Sequence, residues 1–184
     1  MQLQPDKHVL VIVGGWNPHI VLTPKWLKRY LFPEEDKFHV ELQFGPGQLS
    51  SPCVTAGNVK LSLPGSRLSF SLKSMDEEGF DLVQELACKL ADYLPHTPVT
   101  AYGVNFVFAA PVGNRSFLNQ DTLLYRSLTA DGAEIVEEHS RYSLPHKEAT
   151  LNLTAKETQA TEGGKNIELD FNFHHPIEDL SRLK

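Results

Sequence analysis

Between residues 76 and 94 apolar side chains return every three or four positions, at Phe80, Val83, Leu86, Ala87, Leu90, Ala91 and Leu94. This spacing lays them along one stripe of an α-helix and predicts a long helix that buries that stripe. Ser74, with Glu77 three residues later, reads as a capping box. Asp76, Glu77 and Glu78 suit the positive end of the helix dipole, and Pro95 ends the helix.

Elsewhere the period is two. Phe38, Val40, Leu42 and Phe44 alternate with His39, Glu41 and Gln43, the pattern of a half-buried strand. Val59, Leu61 and Leu63 point one way on one strand, and Leu68, Phe70 and Leu72 do so on the next. Pro64-Gly65 between them predicts a type II turn with proline second and glycine third. A strand over 99–109 has Tyr102, Val104, Phe106 and Phe108 on one face and Ala101, Gly103, Asn105 and Val107 on the other. Further strands are expected at 124–129, 134–142, 149–156 and 166–173, separated by Asp131-Gly132, by Pro145 and by Gly163-Gly164. On the last of them Ile167, Leu169, Phe171 and Phe173 alternate with Glu168, Asp170 and Asn172.

The N-terminal region begins with a strand at 8–13 that runs into a turn at Gly14-Gly15. Thr23 as N-cap and Pro24 at the first helical position then start a short helix. Its apolar side is Trp26, Tyr30 and Leu31, and Pro33 stops it. Pro176, Ile177, Glu178, Asp179 and Leu180 read as the first turn of a C-terminal helix, expected to be short or cut within the chain as given. The fold class expected is α+β: a mostly antiparallel, curved meander sheet packed on one long central helix, with a short N-terminal helix, in a single domain spanning 1–184.

The chain has 184 residues, 41% hydrophobic and 22% charged, which is ordinary globular usage and excludes disordered and low-complexity classes. A chain of this size buries roughly 70% of its unfolded surface and needs no disulfide or structural metal to hold a core. Cys53 and Cys88, isolated in sequence, are read as small buried hydrophobes in a reducing compartment. The apolar run Val9, Leu10, Val11, Ile12 and Val13 is too short for a signal peptide, and no run reaches the length of a membrane span. A cytoplasmic protein is therefore expected, and the acceptor patterns at Asn114 and Asn152 are read as chance.

The sequence holds no strong catalytic constellation. Gly163-Gly164-Lys165 lacks P-loop spacing, and after Gly14-Gly15 there is no third glycine, with Trp16 and Pro18 standing where a helix would begin. No Gly-x-Ser-x-Gly elbow is present, and Glu41-Leu42-Gln43 has Gln where a nuclease motif needs Lys. His174 and His175 point to opposite faces if the strand continues through them, so no metal site is expected there, and no cofactor either. A net charge of -6 disfavours nucleic acid as a partner. The local basic group is Lys25, Lys28 and Arg29, beside Trp26 and Tyr30.

Gly103 and Asn105 interrupt an otherwise apolar strand, and with Tyr102 they are the candidate ligand-binding residues. The function expected is a non-catalytic intracellular interaction or assembly domain, a subunit of a bacterial or phage-derived complex. It would bind a protein partner or a second copy through a sheet edge. The alternative is a small-ligand-binding protein or enzyme, its apolar pocket lying between the long helix and the sheet and reaching Asn105.

Overall fold

The computed structural model describes residues 2–42, 52–113, 137–159 and 165–183. The expected strand at 124–129, the turns at Asp131-Gly132 and Gly163-Gly164, Phe44 and Asn114 lie outside them. Contacts gather into two compact units, one of Pro5–Asn105 with His174–Lys184 and the other of Met1–Gln4 with Phe106–Phe173. Mostly antiparallel sheet with a few helices makes this an α+β protein.

In the larger unit the strand order is β3 (His39–Leu42), β4 (Pro52–Ala56), β5 (Val59–Ser62), β6 (Arg67–Leu72), β2 (His8–Gly14), then β7 (Val99–Gly113). Each neighbouring pair is antiparallel. The helices are α1 (Pro18–Val21), α2 (Pro24–Tyr30) and the seventeen-residue α3 (Glu77–Tyr93), with a 3-10 turn at Leu180–Leu183. One face of the sheet carries Ile12, Val54, Leu61, Leu68 and Phe70, which have no exposed surface and form one core with Leu86 and Leu90 of α3.

The stripe on α3 is buried at Val83, Leu86, Ala87, Leu90 and Ala91, while Phe80 and Leu94 are half-buried against the core. The cap differs from the expected box. Asp76, not Ser74, is the N-cap: its Oδ1 accepts from Gly79 N at 2.8 Å, and the Ser74 hydroxyl donates to the other carboxylate oxygen. These bonds hold the Asp76 carboxyl below its usual range, the Ser74 hydroxyl being the larger cause. Cys88 sits one step off the stripe and is half-buried, in contrast to the fully buried Cys53.

Thr23 caps α2 as expected, its Oγ1 accepting from Trp26 N at 3.3 Å, but the residue fully buried on this helix is Leu27, with Trp26 half-buried. A helical turn does begin at Pro18, capped by Asn17, where none was expected. Val40 and Leu42 are 43% and 57% exposed, because β3 is the outermost strand of the order and its apolar side chains are not drawn into the core. The β5–β6 turn is closed by Arg67 N donating to Pro64 O at 3.3 Å, one residue later than a type II turn centred on Pro64-Gly65. Gly65 still supplies the left-handed backbone, with φ of 63°.

Gly14 answers to a close approach. A Cβ there would lie 2.6 Å from the carbonyl oxygen of Pro98 and 2.8 Å from Val99 Cγ1. Because the first obstacle is backbone, Gly14→Ala should shift β7 against β2 and cost about 1–3 kcal/mol, the range for overpacking. A chemical melt of the variant with an unchanged midpoint would refute that contact.

In the smaller unit β1 (Gln2–Leu3) pairs with β7, and the order continues through β10 (Lys165–Pro176), β9 (Ala149–Gln159) and β8 (Glu137–His146). Pro145 lies inside β8 rather than between strands. His146 pairs with Ala149, so the two-residue turn is Lys147-Glu148, with Lys147 at φ 54°. Phe106 meets Phe173 edge-on at 6.3 Å, and Phe108 meets Phe171 likewise at 5.9 Å. On the opposite face Ser143 donates to Asn152 Oδ1 at 2.7 Å and Asn152 donates to Asn172 Oδ1 at 3.1 Å. Among the described residues no helix is long and apolar enough to cross a membrane.

Candidate functional site

The sheet face of the larger unit that looks away from the core is polar, and two rows of directly opposed residues run across it. One is His8, Ser71, Lys60, Thr55 and His39 on β2, β6, β5, β4 and β3. The next is Gly103, Val11, Ser69, Ser62, Cys53 and Glu41. Directly opposed residues of antiparallel strands share a face, so each row is a set of side-chain neighbours.

His8 joins this face through a β-bulge. Simple alternation would place it with Leu10 and Ile12 in the core. However, His8 pairs with Ser71 while Leu10 pairs with Phe70, so β2 advances two residues where β6 advances one. His8 Nδ1 lies 3.0 Å from Ser71 Oγ. Lys60 Nζ donates to Glu41 Oε2 at 3.4 Å, and the other Glu41 oxygen is 3.4 Å from His39 Nε2.

Ser69, Ser71, Thr55 and Cys53 are buried on this face, although the apolar core lies on the other. Burial, and then the charges of Lys60 and Lys7, hold the His8 imidazole below its ordinary value, so it stays neutral to lower pH. The Cys53 thiol is pushed up, burial outweighing the opposing pull of Lys60. It is therefore a poor thiolate. Lys60 is held above its ordinary value, first by Cys53 and, against some desolvation, by Glu41 and Asp6.

The candidates named from sequence are distributed around this arrangement. Gly103 and Asn105 share the polar face, with Asn105 Nδ2 reaching Gly103 O at 3.4 Å. Tyr102, opposite Ile12, is on the other face, packed against the core and stacked on His175 with ring centroids 4.5 Å apart. The three are thus not brought together around one point. Of the basic group, Lys28 pairs with Asp36 at 2.6 Å, Arg29 lies 5.2 Å over the Tyr30 ring, and Lys25 is exposed. Tyr30 continues an aromatic run from Trp26, 5.2 Å away, to Tyr93, 4.9 Å away. His174 and His175 lie within β10, which runs to Pro176, so they point to opposite faces. Among the described residues no group of three His, Cys, Asp or Glu is placed to hold a metal ion.

Sequence reasoning missed the polar rows. Their one local signal is the alternation of Lys60, Ser62, Ser69 and Ser71 with apolar neighbours, which marks a polar face without saying which strands adjoin. Compared with the models of known protein families, with curated proteins and with solved structures, the chain matches none.

Proposed function

We propose that this chain is a non-catalytic interaction or assembly domain that receives a strand of a protein partner, or of a second copy, along a sheet edge. The observation that carries the reading is where large apolar side chains remain exposed. Among the described residues these are Ile20, Val40, Leu42, Tyr93, Tyr142 and Leu144, and four of the six lie on the terminal strands β3 and β8. A terminal strand presents a row of backbone donors and acceptors to any incoming strand, and the alternating side chains beside it give the contact its selectivity.

At ten residues β8 is the longer template, against four for β3, and Tyr142 and Leu144 are 53% and 50% exposed on it. Burying the exposed half of two such side chains contributes about 1 kcal/mol each.

A pocket between α3 and the sheet is less well supported. Leu86, Leu90, Ile12, Leu61 and Phe70 line that interface with no exposed surface, and Asn105 stands on the opposite sheet face. The finer reading of the fold, a curved meander packed on α3, belongs to the same proposal. Its reading as one domain rests on β7 and β10, each of which supplies residues to both units.

Sedimentation velocity at low and high salt tests the edge. Association should survive high salt and be lost in Tyr142→Lys with Leu144→Lys, while Lys28→Glu with Arg29→Glu leaves it unchanged. A strictly monomeric chain that binds no partner, or a complex dissolved by moderate salt and by the charge reversals, would refute edge pairing.

A further inference from the structure

The stretch of the polar row on β2, β6 and β5 lies away from the terminal strands, and its composition suits a small ligand. It sets an imidazole, a hydroxyl and an ammonium side by side on three adjacent strands, with Ser71 directly opposite both His8 and Lys60. The His8 ring nitrogen and the Ser71 hydroxyl are already within hydrogen-bond reach at 3.0 Å. Lys60 has three N–H donors, and the contact that engages it with Glu41, at 3.4 Å, is long for a charge-assisted bond. Its ammonium can therefore turn toward a further acceptor without breaking a tight pair.

We propose that His8, Ser71 and Lys60 form a binding site for a small oxoanion, a phosphate or a carboxylate group. One oxygen takes an N–H of Lys60, a second takes the Ser71 hydroxyl proton, and the protonated His8 ring supplies the remaining charge. The charged groups that act on His8 are Lys60 on β5 and Lys7 on its own segment, while Cys53, Glu41 and Asp6 act on Lys60, and His39 meets Glu41 at the far end of the row. Of these, Lys60 and Lys7 weigh on His8 in the direction that makes its protonation costly without an anion. An oxoanion between Lys60 and His8 offsets that repulsion, so binding should strengthen as pH falls through the His8 midpoint.

The experiment follows the histidine ring signals of the isotope-labelled full chain by NMR, titrating pH at constant ionic strength in chloride, inorganic phosphate or acetate. The His8 midpoint should rise by about one unit in an anion that binds, which is roughly tenfold tighter binding to the protonated form. A rise in phosphate alone assigns a phosphate group, in acetate alone a carboxylate, and in both a general oxoanion site. Lys60→Met should abolish the rise while leaving the circular dichroism spectrum unchanged, and Ser71→Ala should reduce it. The proposal is overturned if neither anion moves the His8 midpoint relative to chloride, or if a full-sized rise persists in folded Lys60→Met.

Discussion

Leu86→Asp should leave the protein without a cooperative thermal transition. Leu86 has no exposed surface and belongs to the same buried apolar cluster as Ile12, Leu61 and Phe70. Removing it forfeits about 1.5–3 kcal/mol of apolar burial. Placing an ionised carboxylate there costs several kcal/mol more, because the surrounding side chains are apolar. The sum approaches or exceeds the about 5–15 kcal/mol by which folded domains are stable. Gln84→Asp, two residues earlier on the exposed face of the same helix, controls for the change in helix propensity and charge and should melt close to the parent. If Leu86→Asp also melts cooperatively within a few degrees of the parent, the stripe on α3 does not face the core.

The second large effect belongs to the smaller unit. Glu157 on β9 is 3% exposed and is paired with Lys165 at the start of β10, whose side chain is 20% exposed. Replacing Lys165 by Met keeps the stem of the side chain and removes the charge, which takes a cationic partner from a buried carboxylate. Breaking a buried pair from one side typically costs about 3–5 kcal/mol, and the partial exposure of Lys165 points to the lower end. Glu157→Leu combined with Lys165→Met should regain much of that loss, since an apolar pair of similar volume carries no desolvation penalty. Urea unfolding of the two single variants and the double variant measures the cycle. A double variant whose loss equals the sum of the two single losses would mean that the pair contributes nothing measurable.

The elements that were legible from the chain alone are those whose signals are local. The stripe from Phe80 to Leu94 needs only the helical period, and it predicts α3 to within about a residue at either end. Leu61, Leu68 and Phe70 around Pro64-Gly65 identify the β5–β6 hairpin, although the bond that closes its turn falls one residue later. Where the outcome depended on a neighbour distant in sequence, local pattern was insufficient. The same alternation that buries Leu61 leaves Val40 and Leu42 exposed, because only strand order makes β3 terminal. Lys60 meets Glu41 from nineteen residues away, and His8 meets Ser71 from sixty-three.

The candidate site shows the division most clearly. Sequence marked Gly103 and Asn105 as unusual and set them on the face opposite Tyr102, as the fold has them. It could not place His8 there, because alternation assigns that residue to the core face and a single bulged residue between His8 and Leu10 reverses the assignment. The chain by itself therefore determined the helix, the hairpin and the two-sided character of its strands, each a matter of spacing along the backbone. Tertiary structure alone decided which polar side chains became neighbours, because cross-strand register is set by pairing between distant segments, and one inserted residue moves a side chain from one face of a sheet to the other.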